Sequence, residues 1–228
     1  MFRKTTIAVI LAASLVGCPK KGPDMNNPVE TFNEGVRILQ AADGDGSVDY
    51  AGAYTMFEAS ITADPGIAKS QYNAGWAAEQ QGFTEKAAQH YRAALDIDSS
   101  YSRALFSLGV ALTELGQGAE ASELYKRYLE TNPGDLKVRN NLVEALAAAG
   151  QFEEAVANIR IVLRADNNNV GAYRNLSRIY FNKGELEMSQ LCAEKAKTLA
   201  KGDAIRILTG APLPDGAGWV LPQELVAV

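Results

Sequence analysis

The sequence predicts an all-α superhelical solenoid of helix–turn–helix repeats, because three sets of residues recur with a common period of 34 residues. The first set consists of glycines, at Gly82, Gly116, Gly150 and Gly184. The second consists of small residues five positions later, at Ala87, Ala121, Ala155 and Ser189. The third consists of leucines eight positions before the last three glycines, at Leu108, Leu142 and Leu176.

Each set has a physical role in a pair of packed helices. A glycine in the turn between two helices adopts backbone conformations that a side chain would strain. A small residue lets the second helix cross the first closely, and a leucine fills the seam between them. We therefore expect a turn at every one of these glycines and a helix on each side of it.

Four regular repeats follow one another in this register, over 69–98, 102–133, 137–166 and 171–200. These segments resemble the tetratricopeptide repeat, and 102–133 matches it best because it also keeps the terminal Pro133. Ser99, Asn167 and Lys201 replace that proline in the other three. The resemblance implies a right-handed solenoid whose first helices line a concave groove.

An irregular repeat precedes these four. We expect its helices over 32–42 and 50–65, separated by about six extra residues, "DGDGSV" at 43–48. The predicted array of about five repeats therefore spans 28–201, and its units are 28–67, 68–101, 102–135, 136–169 and 170–201.

The N-terminus predicts a lipid anchor. Basic residues precede an apolar run over 5–16 that is too short to span a bilayer, which is typical of a signal peptide. The run leads to Cys18, and Leu15–Cys18 resembles a bacterial lipobox, which implies cleavage after residue 17 and diacylation of Cys18. The alternative is an ordinary secretory peptide with an incidental cysteine. With the lipobox, residues 18–27 are a tether. The resemblance to lipoproteins, in which aspartate after the cysteine favours the inner membrane, implies the outer membrane for a chain with Pro19 at that position.

Composition excludes several functions. The chain has 22 basic and 27 acidic residues and a net charge of −5, which argues against nucleic acid as a partner. His90 is the only histidine, so a multi-histidine metal site is excluded, and its helix phase predicts a solvent-facing position. We expect no catalytic residues and no cofactor. Cys192 is predicted to be a packed core thiol, with a reactive thiol as the alternative.

The loop of the irregular repeat carries a partial calcium motif. Asp43, Asp45 and Asp49 alternate along a glycine-rich segment, as oxygen ligands do in a calcium loop. Val48 stands where such loops need glycine, and Tyr54 where they need glutamate. A polar turn whose residues suit tight backbone geometry is the competing interpretation.

Helical phase places eight residues of the first helices in the predicted partner-binding groove. They are Tyr72, Trp76, Arg103, Phe106, Lys137, Asn140, Arg174 and Arg178. The groove is predicted to be aromatic at its N-terminal end and basic at its C-terminal end, which favours an acidic or C-terminal peptide as ligand. Alternatively, Trp76 packs against the expanded first repeat.

The C-terminal segment 202–228 breaks the period. Prolines and glycines between 210 and 218 exclude a long helix there. "DAIRIL" at 203–208 is predicted to form a short cap, and Trp219 with its apolar neighbours to fold back on the end of the array. The alternatives are that the tail fills the groove, or that further repeats cover the array's end.

These features predict a membrane-anchored interaction scaffold of the bacterial cell envelope, similar in layout to tetratricopeptide lipoproteins of gliding motility. The alternative is a pilotin-like lipoprotein that assembles a type IV pilus secretin. Lipoproteins of that class resemble this chain in size, anchor and repeat type. An envelope enzyme is disfavoured because the chain offers no second domain and no catalytic cluster.

Overall fold

The computed structural model describes residues 22–41 and 47–209, with the backbone alone from 202 onward. Within these ranges the chain forms ten α-helices. They are α1 (Pro28–Gln40), α2 (Tyr50–Ala63), α3 (Ala68–Gln80), α4 (Thr84–Ile97), α5 (Ser102–Glu114), α6 (Gly118–Thr131), α7 (Leu136–Ala148), α8 (Phe152–Ala165), α9 (Val170–Asn182) and α10 (Leu186–Thr209). Consecutive helices pack as five pairs, so the predicted all-α solenoid is confirmed.

The four periodic glycines form the turns that the sequence predicts. Each has a positive φ, between 75° and 80°. At Gly116 the backbone N–H donates to Thr113 O at 3.1 Å, and the next N–H, of Gln117, donates to Leu112 O at 2.8 Å. These two bonds close α5 in the pattern that a left-handed residue makes possible.

Replacement of Gly116 by alanine should lower the free energy of unfolding by about 1–2 kcal/mol, because an L-residue in the left-handed region is strained. A Cβ at Gly116 would meet no atom within 4 Å, so crowding adds nothing. Gly134→Ala is the matched control, since Gly134 also has open space but lacks the left-handed φ. Urea unfolding followed by circular dichroism measures both, and equal losses would contradict the strain argument.

Small residues and aromatic rings interlock inside each repeat. A Cβ on Gly75 would lie 2.7 Å from the ring of Tyr91, and a Cβ on Gly109 would lie 2.6 Å from the ring of Tyr125. Ala87 and Ala121, two of the periodic small residues, are fully buried. The helices of a pair therefore approach closely because one side contributes no side chain.

The first helix of the array begins four residues earlier than predicted, at the predicted start of the first repeat. The helix expected over 32–42 is α1, which starts at Pro28 because the side chain of Asn27 accepts hydrogen bonds from the N–H groups of Val29 and Glu30. Helix α1 ends at Gln40 and α2 ends at Ala63, and each end lies two residues before the predicted one.

The end of the array also differs from expectation. Residues 203–208 are not a separate short cap but a continuation of α10, which runs to Thr209. No proline lies between the start of α10 and Pro212, so no proline stops this helix earlier. The predicted signal peptide, Cys18 and the tail 210–228 lie outside the described residues. Among the described helices, none combines the length and apolar composition that a membrane crossing requires.

Candidate functional site

The first helices lie on the inner side of the array. Helix α7 contacts both α5 and α9, its counterparts in the adjacent repeats, whereas the second helices α4, α6, α8 and α10 make no comparable contacts with one another in the described part of the chain. An array whose first helices approach each other more closely curves toward them. The concave surface is therefore built from α3, α5, α7 and α9, as the resemblance implies.

The aromatic groove residues are held by other rings. The ring of Tyr72 packs between those of Tyr91 and Tyr101, with centroid distances of 5.5 and 5.3 Å. Phe106 lies 6.3 Å from Tyr125 and 6.2 Å from Tyr128. Both groove rings are half-buried, so one part of each is anchored and the rest is open to a ligand.

Trp76 lies against the expanded first repeat. Its ring meets that of Tyr50, the first residue of α2, edge-on at 5.6 Å. Trp76 is half-buried, so this packing leaves part of the indole exposed. The contact agrees with the alternative interpretation of Trp76, and the remaining exposure is compatible with a ligand contact as well.

The C-terminal end of the groove is less basic than its residue types suggest. Arg178 Nη1 donates to Glu144 Oε1 at 2.8 Å, which joins α9 to α7 and offsets the charge of Arg178. Asn140 donates to Asn169 Oδ1 at 3.1 Å, and Asn175 donates to the backbone oxygen of Asn140 at 3.3 Å. These side chains therefore link neighbouring repeats. Arg174 remains exposed.

A row of three cations runs along the edge of the groove. Lys69, Arg103 and Lys137 are each the second residue of a first helix, lie 34 positions apart and are exposed. Within the described residues, their side chains make no ion pair or hydrogen bond. We call these three residues the basic row. The sequence-based prediction missed Lys69, although its spacing of 34 residues from Arg103 is a signal that could have identified it.

The basic row opposes local helix stability. The positive end of a helix favours acidic residues in its first turn and disfavours cations by about 0.3–1 kcal/mol each. The second helices of the four regular repeats follow this rule, with Glu85, Glu120 and Glu187 among their first-turn acids. The first helices α3, α5, α7 and α9 have no acid in that turn. The cations of the basic row are therefore not explained by stability.

Acidic groups lie further along the first helices. A cavity of about 310 Å³ between α5, α6 and α7 is lined by Val110, Thr113, Glu114, Tyr125, Asn141 and Glu144. We call it the central cavity. Its two carboxylates lie toward the C-terminal ends of α5 and α7, whereas the basic row lies at the N-terminal ends. Charge is therefore separated across the groove, rather than along it.

The prediction that His90 faces solvent is wrong. Its side chain is 15 % exposed and lies between α2, α3 and α4. Nε2 is 2.9 Å from the Tyr54 hydroxyl and 3.6 Å from Glu58 Oε1, and Nδ1 is 2.9 Å from Gln71 Oε1. Burial lowers the pKa of His90, Glu58 raises it in part, and Lys86 lowers it further. The histidine ties the first repeat to the second.

The lowered pKa of His90 predicts acid sensitivity. The unfolded chain binds the proton near pH 6.5, before the folded protein does, so stability falls as pH drops through 6.5 toward the lower folded pKa. We expect a smaller loss in His90→Gln, which keeps a polar side chain without the titration. Urea unfolding at pH 7.5 and pH 5 measures this. Identical pH dependence in both proteins would contradict the assignment.

The structure describes only part of the predicted calcium motif. Asp43 and Asp45 lie outside the described residues. Asp49 caps α2, where its Oδ1 accepts from the Gly52 N–H at 2.7 Å. In the described ranges, no group of three or more His, Cys, Asp or Glu side chains could hold a metal ion. Cys192 is buried, and burial raises the pKa of its thiol to about 11, which agrees with a packed, unreactive thiol.

Comparison with known proteins agrees with this architecture. Family models described as tetratricopeptide repeat match residues 49–102, 72–135 and 140–188, and a further one matches 116–160. Among curated proteins, no sequence matches the chain.

Several solved structures share the fold. YrrB, described as a TPR protein with an unusual peptide-binding site, is 19 % identical over 82 % of this chain and 93 % of its own, with a TM-score of 0.68. MamA from Desulfovibrio magneticus RS-1 is 15 % identical over 79 % of this chain and 98 % of its own, with a TM-score of 0.66. MamA of MSR-1 is 22 % identical over 77 % of this chain and 98 % of its own, with a TM-score of 0.65. From the family matches over most of the helical array, the chain belongs to the tetratricopeptide repeat family.

Proposed function

We propose that this chain is a membrane-anchored scaffold of the bacterial cell envelope, which holds partner proteins by binding peptide segments in its concave groove. The observation that carries the proposal is the basic row, whose three cations are exposed, lack partners among the described residues and oppose helix stability. The peptide-binding site by which YrrB is described supports the proposal, because YrrB shares this fold.

The groove chemistry favours an extended peptide with charges of both signs. Carboxylates of the peptide would lie along the basic row, where Arg103 offers two parallel N–H donors. A lysine or arginine of the peptide would enter the central cavity beside Glu114, because Glu144 is already paired with Arg178. The amide of Asn141, which lines the same cavity, would bind the peptide backbone. Tyr72 and Phe106 would supply apolar contact at low cost in side-chain entropy.

The anchor is proposed from the lipobox resemblance of Leu15–Cys18. Each buried methylene of an acyl chain contributes about 0.8 kcal/mol, so several chains on Cys18 make attachment stable. The tether 18–27 would then hold the array beside the membrane, in the outer membrane and facing the periplasm. The layout is similar to that of gliding-motility lipoproteins, and we propose no catalytic activity.

A test of the anchor uses metabolic labelling with an alkyne analogue of palmitate. The full chain should incorporate the label and sediment with membranes, whereas Cys18→Ser should lose the label and enter the soluble fraction. Cys192→Ser is the matched control, because that thiol is buried. Labelling that survives Cys18→Ser, or is lost in Cys192→Ser, would overturn the proposed anchor.

A test of the groove uses a photo-reactive residue at position 76 in intact cells, with position 89 on the exposed side of α4 as the control. We expect position 76 to capture a partner protein that position 89 does not capture, with crosslinks confined to one segment of it. Equal capture from both positions would contradict groove binding. Capture of a secretin subunit would favour the pilotin-like alternative. Capture of motility proteins would favour the gliding-motility assignment.

A further inference from the structure

The fifth repeat differs from the others on the face against which a following repeat would pack. At one position of the second helix, the preceding regular repeats carry large buried residues, which are Tyr91, Tyr125 and Ile159. The fifth repeat carries the exposed Ala193 there. Four positions later, the preceding repeats bury Leu95, Leu129 and Leu163. The fifth repeat carries Lys197, whose side chain is 60 % exposed.

These exchanges leave a cleft between α9 and α10. It measures about 470 Å³, and Ala193, Ala196 and Ala200 form an apolar floor. Arg174, Lys197 and Lys201 form a basic rim. Lys197 also lies 3.6 Å from Glu194 on its own helix, but both groups are exposed and such a pair is weak. We call this space the C-terminal cleft.

A further repeat of the same kind does not suit the C-terminal cleft. It would cover the position of Lys197 with an apolar helix, as α5 covers Leu95. Removal of the Lys197 ammonium group from water costs several kcal/mol, which its weak pair with Glu194 does not offset. The alanines would in addition leave the volume of the missing tyrosine or isoleucine unfilled. The occupant must therefore be narrow, carry a large apolar side chain and bring negative charge.

The segment 210–228 of this chain has these properties. It contains Trp219, Val220 and Leu221 in succession, together with the acids Asp215 and Glu224, and it has no lysine or arginine. It follows directly on α10, which ends at Thr209. Along a helix, the distance from residue 196 to residue 209 is about 20 Å. The ten residues 210–219 span up to about 33 Å when extended, so Trp219 can return to the cleft.

We propose that the segment 210–228 docks into the C-terminal cleft of its own chain and caps the array. The indole of Trp219 packs on Ala193, Ala196 and Ala200, and the tail carboxylates lie near Arg174 and Lys201. A tether this short raises the local concentration of the segment to about the millimolar range, so modest contacts hold it in place. This cap shares Arg174 with the C-terminal end of the predicted groove and leaves the basic row open.

The experiment places a photo-reactive residue at position 219 of the full chain, purified in detergent micelles. Irradiation should give intramolecular crosslinks to the peptide that contains residues 193–201, or to Arg174. Ala193→Arg, at an exposed position of the cleft lining, fills the cleft and adds like charge to its rim, so it should abolish these crosslinks while circular dichroism stays unchanged. Gln190→Arg is the matched control, because position 190 is exposed on α10 outside the cleft lining, and it should preserve them.

Four crosslinking results would overturn the proposal. Crosslinks between chains would assign the cleft to a second copy, and crosslinks to α3 or α5 would place the tail in the groove. Absent crosslinks, or crosslinks that survive Ala193→Arg, would exclude docking in the cleft.

A second readout is the fluorescence of Trp219 in a Trp76→Phe background. Docking predicts a blue-shifted emission that moves to the red in Ala193→Arg. An emission that is insensitive to Ala193→Arg contradicts docking.

Discussion

Replacement of Tyr125 by alanine should lower the free energy of unfolding by about 3–5 kcal/mol, the range for truncating a buried aromatic residue. Its side chain is 1 % exposed and fills the space over Gly109, where a Cβ would lie 2.6 Å from the ring. Burial raises the pKa of its hydroxyl to about 12. Truncation leaves a cavity that the backbone of α5 cannot fill, because Gly109 has no side chain to move into it.

The loss at Tyr125 should also weaken the coupling between repeats. The ring lines the central cavity between α5, α6 and α7, so it belongs to the interface of the third and fourth repeats. Each repeat of such an array is stabilised by its neighbours, and a weakened interface allows the two parts to unfold separately. We therefore expect a broader unfolding transition as well as a lower midpoint.

Urea unfolding of Tyr125→Ala and Tyr128→Ala measures this effect. Tyr128 is the matched control, because it lies on the same helix and also contacts Phe106 but is only half-buried. We expect Tyr128→Ala to lose less than half as much stability. If the two variants lose equal stability, the close packing of Tyr125 over Gly109 is not what holds this repeat together.

Reversal of charge in the basic row should weaken the binding of the captured partner segment. Arg103→Glu removes one attraction and adds a repulsion, and we expect about a tenfold rise in Kd, which corresponds to about 1.4 kcal/mol. Addition of Lys137→Glu should weaken binding further. Because both side chains are exposed and glutamate suits the first turn of a helix, the stability of the array should stay unchanged or rise slightly.

Fluorescence anisotropy of the labelled partner segment at low and physiological salt measures the effect. Arg164→Glu is the matched control, with the same charge change at an exposed position of the second helix α8. It should leave the Kd nearly unchanged at physiological salt. A comparable loss from Arg164→Glu would show that net charge, rather than the groove, drives binding.

Prediction from the sequence was accurate where a local signal repeats. The turn glycines and the small residues recur in every regular unit, so each unit supports the assignment of the others. The start of α1 was missed because its signal occurs once. Asn27 and Pro28 cap the helix four residues before the first apolar residue of the expected pattern.

Prediction of the groove was partial. Helical phase depends on the sequence alone, and it selected the predicted groove residues of the first helices. It did not identify Lys69, which completes the basic row. It also did not indicate that Glu144 offsets Arg178 or that Asn140 bonds to Asn169, because each pair joins adjacent repeats.

The sequence by itself determined the number of helical pairs, the position of each regular turn and the set of residues on the first helices. These features depend on backbone conformation and on a period of 34 residues, which are local properties. Only the tertiary structure decided that His90 is buried against Tyr54, 36 positions away, and that the groove separates its charges across its width. Those features depend on which side chains meet when neighbouring repeats pack. The spacing of residues along the chain does not determine the distances between side chains of different repeats.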